Sequence, residues 1–128
     1  MSPETLLYRQ VNESWLQQGV PSSQTFRPTQ KDNGKPSVYD GDIIVSAEAA
    51  YIHWTQDLKL TSFGVLAVTE AECSGKNLPA ITDGIDFPAH ATIDFTGCAS
   101  NGEIKRLAGE LTKLSVAKGW QHQPGEPA

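Results

Sequence analysis

The chain has few of the residues that staple, span or coordinate. It has two cysteines, one methionine and three histidines in 128 residues. No apolar run approaches the roughly 20 residues that a membrane-crossing helix needs, so no membrane association is expected. Neither a CxxC pair nor an HExxH occurs. His53, His90 and His122 are scattered, and His90, Asp94 and Cys98 have no ligand spacing, so no metal site is expected. Two cysteines do not make the framework of a disulfide-stapled secreted domain, and Cys73 and Cys98 read as reduced thiols. Glu70 and Glu72 beside Cys73 would raise its pKa, which marks a structural cysteine and not a nucleophile. The opening Met1-Ser2-Pro3-Glu4 has no basic region leading into an apolar run, so no secretory signal is expected and the cytoplasm is the expected compartment. The glycosylation pattern at Asn12-Glu13-Ser14 is then idle. Apolar residues are also sparse, at 38%, beside 11 glycines and 8 prolines. That composition predicts one loop-rich domain with a modest core.

Basic charge is nearly missing from the middle of the chain. Residues 40–96 hold only Lys59 and Lys76 against nine acids, a balance of −7, while residues 1–39 and 97–128 each carry +1, for a net charge of −5. An acidic centre repels phosphate backbones and raises encounter rates with cationic surfaces. Nucleic acid is therefore not expected as a partner, and a basic protein is.

Thr5 to Val11 is apolar and β-favouring and predicts a first strand. Asn12 to Asp42 is long and polar yet carries Trp15, Phe26 and Tyr39, which argues for an ordered surface segment over disorder. Within it, Gln24 to Arg27 is expected as a brief extended piece and Ser37 to Tyr39 as a short strand. Ser46 caps an expected helix through Asp57, with its stripe through Ala49, Ile52 and His53. Thr61 to Thr69 is a nearly continuous apolar run, expected as a central strand buried on both faces, with Gly64 marking a bulge or close packing. Thr69-Glu70-Ala71-Glu72 fits a capping box, residues 74–89 form an expected second loop, and Ala91 to Thr96 alternates as a strand. Ser100 opens the most regular helix, with Ile104, Leu107, Ala108, Leu111, Leu114 and Ala117 at helical spacing and Gly119 as its stop. Residues 121–128 are expected to fray. The pattern predicts a single domain over 1–128 of the α+β class, a small mainly antiparallel sheet of about four or five strands with two principal helices on one face.

Three functions compete. Trp15, Phe26, Arg27 and Tyr39, beside Asp40 and Asp42, combine aromatic and arginine anchors with the edge of the acidic field. That set fits a binding module, without cofactor or catalysis, that recognises a basic protein in the manner of an antitoxin or immunity inhibitor. Alternatively, Arg9 on the first strand, Ser23 within a hydroxyl-rich Ser22-Ser23-Gln24-Thr25 on the next, and Glu70 or Glu72 after a later strand form an Arg, Ser, Glu order that loosely resembles ADP-ribosyltransferases. The resemblance implies that Arg9 and Ser23 hold a nicotinamide dinucleotide and that Glu70 supports transfer. The third reading is a small-molecule-binding domain with an apolar pocket near Phe63 and Phe95. Ser74-Gly75-Lys76-Asn77 lacks the earlier glycine and the hydroxyl residue of a phosphate loop and carries no function.

Overall fold

Side chains from Leu6 to Val11 alternate between two sides, and the computed structural model, which describes residues 1–124, forms its first strand there, β1 (Leu6–Val11). A tight hairpin follows. Its arms β2 (Leu16–Gln17) and β3 (Val20–Pro21) are joined by Gln18 and Gly19, both at positive φ, as two-residue hairpin turns require. Next come β4 (Ser37–Asp40), α1 (Ala47–Ile52) with a wider π-helical turn over His53–Asp57, and β5 (Gly64–Thr69). The remaining elements are α2 (Glu70–Ser74), β6 (Ala80–Thr82), β7 (His90–Ile93) and α3 (Asn101–Lys118). The helices start at the expected caps: Ser46 Oγ accepts from the Ala49 amide, Ser100 Oγ from the Glu103 amide, and Thr69 and Glu72 exchange both bonds of a capping box.

The fold is α+β. Five strands form one antiparallel sheet in the order β5-β1-β4-β7-β6, and β2 and β3 form a second, two-stranded one. Leu7, Val38, Val68 and Ile93 face one side, where Phe26, Phe95 and the α3 residues Leu107, Ala108 and Leu111 complete a core. Tyr8, Tyr39, Val65 and Ala67 face the other side, against Ala47 and Ala50 of α1. The two principal helices therefore cover opposite faces, which corrects the expectation of a shared face. Gln10 pins α1 there by donating its side-chain amide to the Ala50 carbonyl. Because α1 turns Ala47 and Ala50 to the sheet, Ile52 stands 40% exposed instead of joining the buried stripe.

The apolar run of β5 is buried on both faces, but β5 is an edge strand and not a central one. Its outer edge is shielded by the chain after α3: Val65 exchanges backbone bonds with Gln121 and His122 at 2.9 and 2.8 Å. Gly64 permits this return, since a Cβ there would come within 2.9 Å of the Trp120 ring. The expected fraying over 121–128 is thus arrested at its first residues, and residues 125–128 lie outside the described ones. β6 lies inside the stretch expected as loop, and Gln24–Arg27 opens on a 3-10 turn capped by Ser22 instead of extending. Among the described residues no helix is long and apolar enough to cross a membrane.

Candidate functional site

β1 pairs with β5 along its whole length but with β4 only at Leu7 and Tyr8. From Arg9 onward the two strands part, and a cavity of about 540 Å³ opens at the division. That volume suits a small organic molecule. Arg9 sits at the fork. The residue is 7% exposed, and its guanidinium donates through Nε to the Thr25 carbonyl at 2.7 Å and through Nη1 to the Ser37 carbonyl at 2.8 Å. It therefore supplies donors where the ladder no longer does. Trp15 lies against it, with the guanidinium carbon 5.1 Å from the ring centre. Among the described residues no carboxylate comes within 4.0 Å of Arg9. Burial lowers its pKa to about 10, with the more distant Asp32 acting in the opposite direction, so it stays charged at neutral pH.

Aromatic rings form much of the wall: Tyr8, Trp15, Tyr39, Trp54 and Phe87. Tyr39 stacks on Phe87 at 5.1 Å, and its hydroxyl meets His53 Nδ1 at 2.8 Å. Burial, with Asp57 adding, raises the Tyr39 pKa, so Tyr39 keeps its proton at neutral pH while its hydroxyl shares a hydrogen bond with His53 Nδ1. Trp54 is fastened by its indole N–H to the Thr61 carbonyl. Gln10 also lines the cavity, and its Oε1 has no partner among the described residues. Lys31, Asp32 and Asp86 add charged groups of both signs.

Ser37 on β4 and His90 on β7 are diagonal neighbours, His90 standing opposite Tyr39 and Ser37 opposite Thr92, and both line the cavity. Ser37 Oγ lies 3.0 Å from His90 Nε2, and His90 Nδ1 meets Asp83 Oδ1 at 2.5 Å. Asp83 also accepts from the Ile85 amide. Partial burial works against ionisation of Asp83, but these hydrogen bonds outweigh it and hold the carboxyl below its usual range.

The residues expected at a protein interface are dispersed. Trp15 and Tyr39 border the cavity, whereas Phe26 is wholly buried in the α3-side core. Arg27 is half-buried and lines no part of the cavity. Asp40 is 3% exposed and accepts from Thr82 Oγ1 and the Asp42 amide, while Asp42 is exposed. Of the Arg9, Ser23, Glu70 set, only Arg9 lines the cavity. Ser23 lies against the α3 side near Gly109, and Glu70 opens α2 beyond the other end of the β1–β5 ladder. The pocket expected near Phe63 and Phe95 is filled: Phe95 is core, and Phe63 packs on Trp120. Cys73 is buried, and burial with Glu72 and Glu70 pushes its thiol up to about 12. Among the described residues no cluster of three or more His, Cys, Asp or Glu side chains is arranged to hold a metal.

Sequence reasoning assigned no site role to Ser37, Trp54, Asp83 or Phe87, and weighed His90 as a metal ligand and as a base beside Cys73, not beside a serine. Asp83 and His90 flank a loop with no motif spacing, and only the pairing of β4 with β7 brings Ser37 alongside. The chain thus defines an antiparallel α+β domain with an arginine-floored, aromatic-walled cavity. No family model, no curated protein and no solved structure matches it.

Proposed function

We propose that the protein binds a small organic anion with a planar or apolar body in the cavity between β1 and β4. The observation that carries this reading is the Arg9 guanidinium, buried at the cavity without a carboxylate within 4.0 Å among the described residues. Burying an uncompensated cation costs several kcal/mol, and an arriving anion offsets that cost. Two of the five guanidinium N–H donors are taken by backbone carbonyls, which leaves the others for a carboxylate or phosphate. The rings of Trp15, Tyr39 and Trp54 supply flat surfaces for the ligand body. The free thiols of Cys73 and Cys98 support a reducing compartment, and we take the cytoplasm as the site of action.

Calorimetric titration with benzoate, adenosine diphosphate and nicotinamide dinucleotide tests the reading. Saturable binding of at least one probe is expected, weakened about tenfold or more by Arg9→Lys, which keeps the charge and loses the fork. No binding by any of the three, or equal binding by the variant, overturns it. Release of nicotinamide from the dinucleotide would favour transferase chemistry instead.

A second reading, recognition of a basic protein partner as by an antitoxin or immunity protein, is supported by the surface before α1. Val45 is 89% and Ile43 50% exposed there, between exposed Asp42 and Glu48. Apolar residues rimmed by charge are a common interface pattern. A Val45→Arg, Glu48→Lys double variant should lose any protein that copurifies from the native host, and its retention would count against this surface.

A further inference from the structure

We propose that Ser37 is a nucleophile that cleaves esters of small organic anions, with His90 as its general base and Asp83 as the group that positions His90. This rests on the reading that the cavity binds such anions. The three side chains form one continuous chain, Ser37 Oγ to His90 Nε2 at 3.0 Å and His90 Nδ1 to Asp83 Oδ1 at 2.5 Å. An ionised carboxylate only accepts, so Nδ1 carries a proton, and in the neutral form of His90 the lone pair of Nε2 then faces the Ser37 hydroxyl. That is the tautomer a general base needs, and such a constellation is recognised by geometry and roles, not by chain order. Phe87 meets the His90 ring edge-on at 5.3 Å and limits its rotation. Asp83 is itself held by the Ile85 amide.

The placement is that of a working site. Ser37 and His90 line the cavity, while Asp83 stands behind His90 and does not. Arg9 also lines the cavity, and its Nη1 donates to the backbone carbonyl of Ser37, so a positive charge is held near the nucleophile's position on β4. In the first step Ser37 Oγ attacks the ester carbonyl carbon as Nε2 takes the hydroxyl proton. The C–O bond to the alcohol then breaks, and the alcohol leaves with that proton. Water attacks the acyl-serine, gives a proton to Nε2, and the acid departs as the proton returns to Ser37 Oγ. Ester and water become acid and alcohol, with no change of oxidation state.

A fluorophosphonate probe and 4-nitrophenyl esters, acetate and the anionic succinate, test the proposal on the full chain. Intact mass and peptide mapping should find the phosphonyl adduct on Ser37, and the succinate ester should be cleaved faster than the acetate. His90→Gln and Asp83→Asn should each slow labelling and cleavage at least 100-fold. An unmodified Ser37 in folded protein, or labelling of both variants at the unsubstituted rate, overturns the proposal. If His90→Gln does not fold, Asp83→Asn alone decides by the same measure. Ser37→Ala should still bind the anionic probes of the calorimetric test. Probe binding without labelling removes the nucleophile and leaves the pocket, whereas labelling without probe binding removes the pocket reading and leaves a reactive serine.

Discussion

Phe26 was expected among interface anchors, and its replacement by alanine measures how far it belongs to the core. The ring is 0% exposed and packs with Leu7, Phe95 and Leu111. Withdrawing a buried phenyl ring loses its transfer free energy, and incomplete collapse around the hole adds a cavity cost, for a total of about 3–5 kcal/mol. A domain of this size holds roughly 5–15 kcal/mol altogether, so the variant should fold but with much of its margin gone. At about 3–4 °C per kcal/mol the melting temperature should fall by roughly 10–20 °C. Urea denaturation followed by tryptophan fluorescence reads the loss directly, and an unchanged denaturant slope would confirm that both variants unfold the same surface. Val45→Ala, at the 89% exposed position, is the control and should stay within about 0.5 kcal/mol. A loss below about 1 kcal/mol for Phe26→Ala would refute the placement of this ring in the core.

Gly64→Ala should destabilise by about 1–3 kcal/mol, because its Cβ would enter the Trp120 ring and approach the His122 carbonyl; the same variant should speed amide exchange at Val65, and unchanged exchange would refute the role of the C-terminal return. Ser100→Ala removes the acceptor for the Glu103 amide and should cost α3 about 1 kcal/mol by urea titration, with no effect on cavity binding. Part of the acid limb of stability should come from Asp83 and Glu72, beside smaller shares from the more exposed Asp94 and Glu110, whose pKa values are likewise depressed. For the first two, burial favours the neutral acid but is outweighed, at Asp83 by His90 and the Ile85 amide and at Glu72 by Lys118 and Thr69, so both folded pKa values are depressed. Their contribution is then fully present above the unfolded carboxylate range near pH 4 and is lost as pH falls through the folded values. Urea midpoints should hold between pH 7 and 5 and drop below 4, and Asp83→Asn with Glu72→Gln should flatten that drop; an equally steep drop in the double variant would refute the assignment.

Local chemistry made the helices legible. Ser46, Thr69 and Ser100 each announce a helix start through side-chain oxygens that accept the first amides, and each does so in the structure. The strands with strong apolar patterns, β1, β5 and β7, were legible for the same reason. Neighbours in space were not. β6 is three residues between Pro79 and the Asp83 turn, and only its ladder with β7 makes it a strand. The double burial of β5 was read as a central position, but an edge strand reaches the same burial when helices cover both faces and a returning terminus closes its side. The site was legible only in part. Arg9 was singled out and does line the cavity, and Trp15 and Tyr39, read as interface anchors, line its wall. Ser37, Asp83 and His90 are common residue types whose meaning comes from cross-strand register, which periodicity does not specify.

The parting of β1 from β4 ties stability to the proposed function through Arg9. The carbonyls of Thr25 and Ser37 need donors there, and a neutral amide side chain would meet part of that need without burying a charge. The guanidinium stays charged at neutral pH even with its pKa lowered to about 10, and among the described residues no carboxylate comes within 4.0 Å of it. Two opposed terms then govern Arg9→Gln: the lost charged hydrogen bonds cost about 1.5–3 kcal/mol each, and relief of the buried charge returns several kcal/mol. The expected sum is a stability within about 2 kcal/mol of the original protein, together with loss of anion binding. Equilibrium unfolding and calorimetry on the same preparation measure both quantities. If Arg9→Gln instead loses well over about 3 kcal/mol, the guanidinium is a staple for the divided sheet, and the case that it waits for an anion falls.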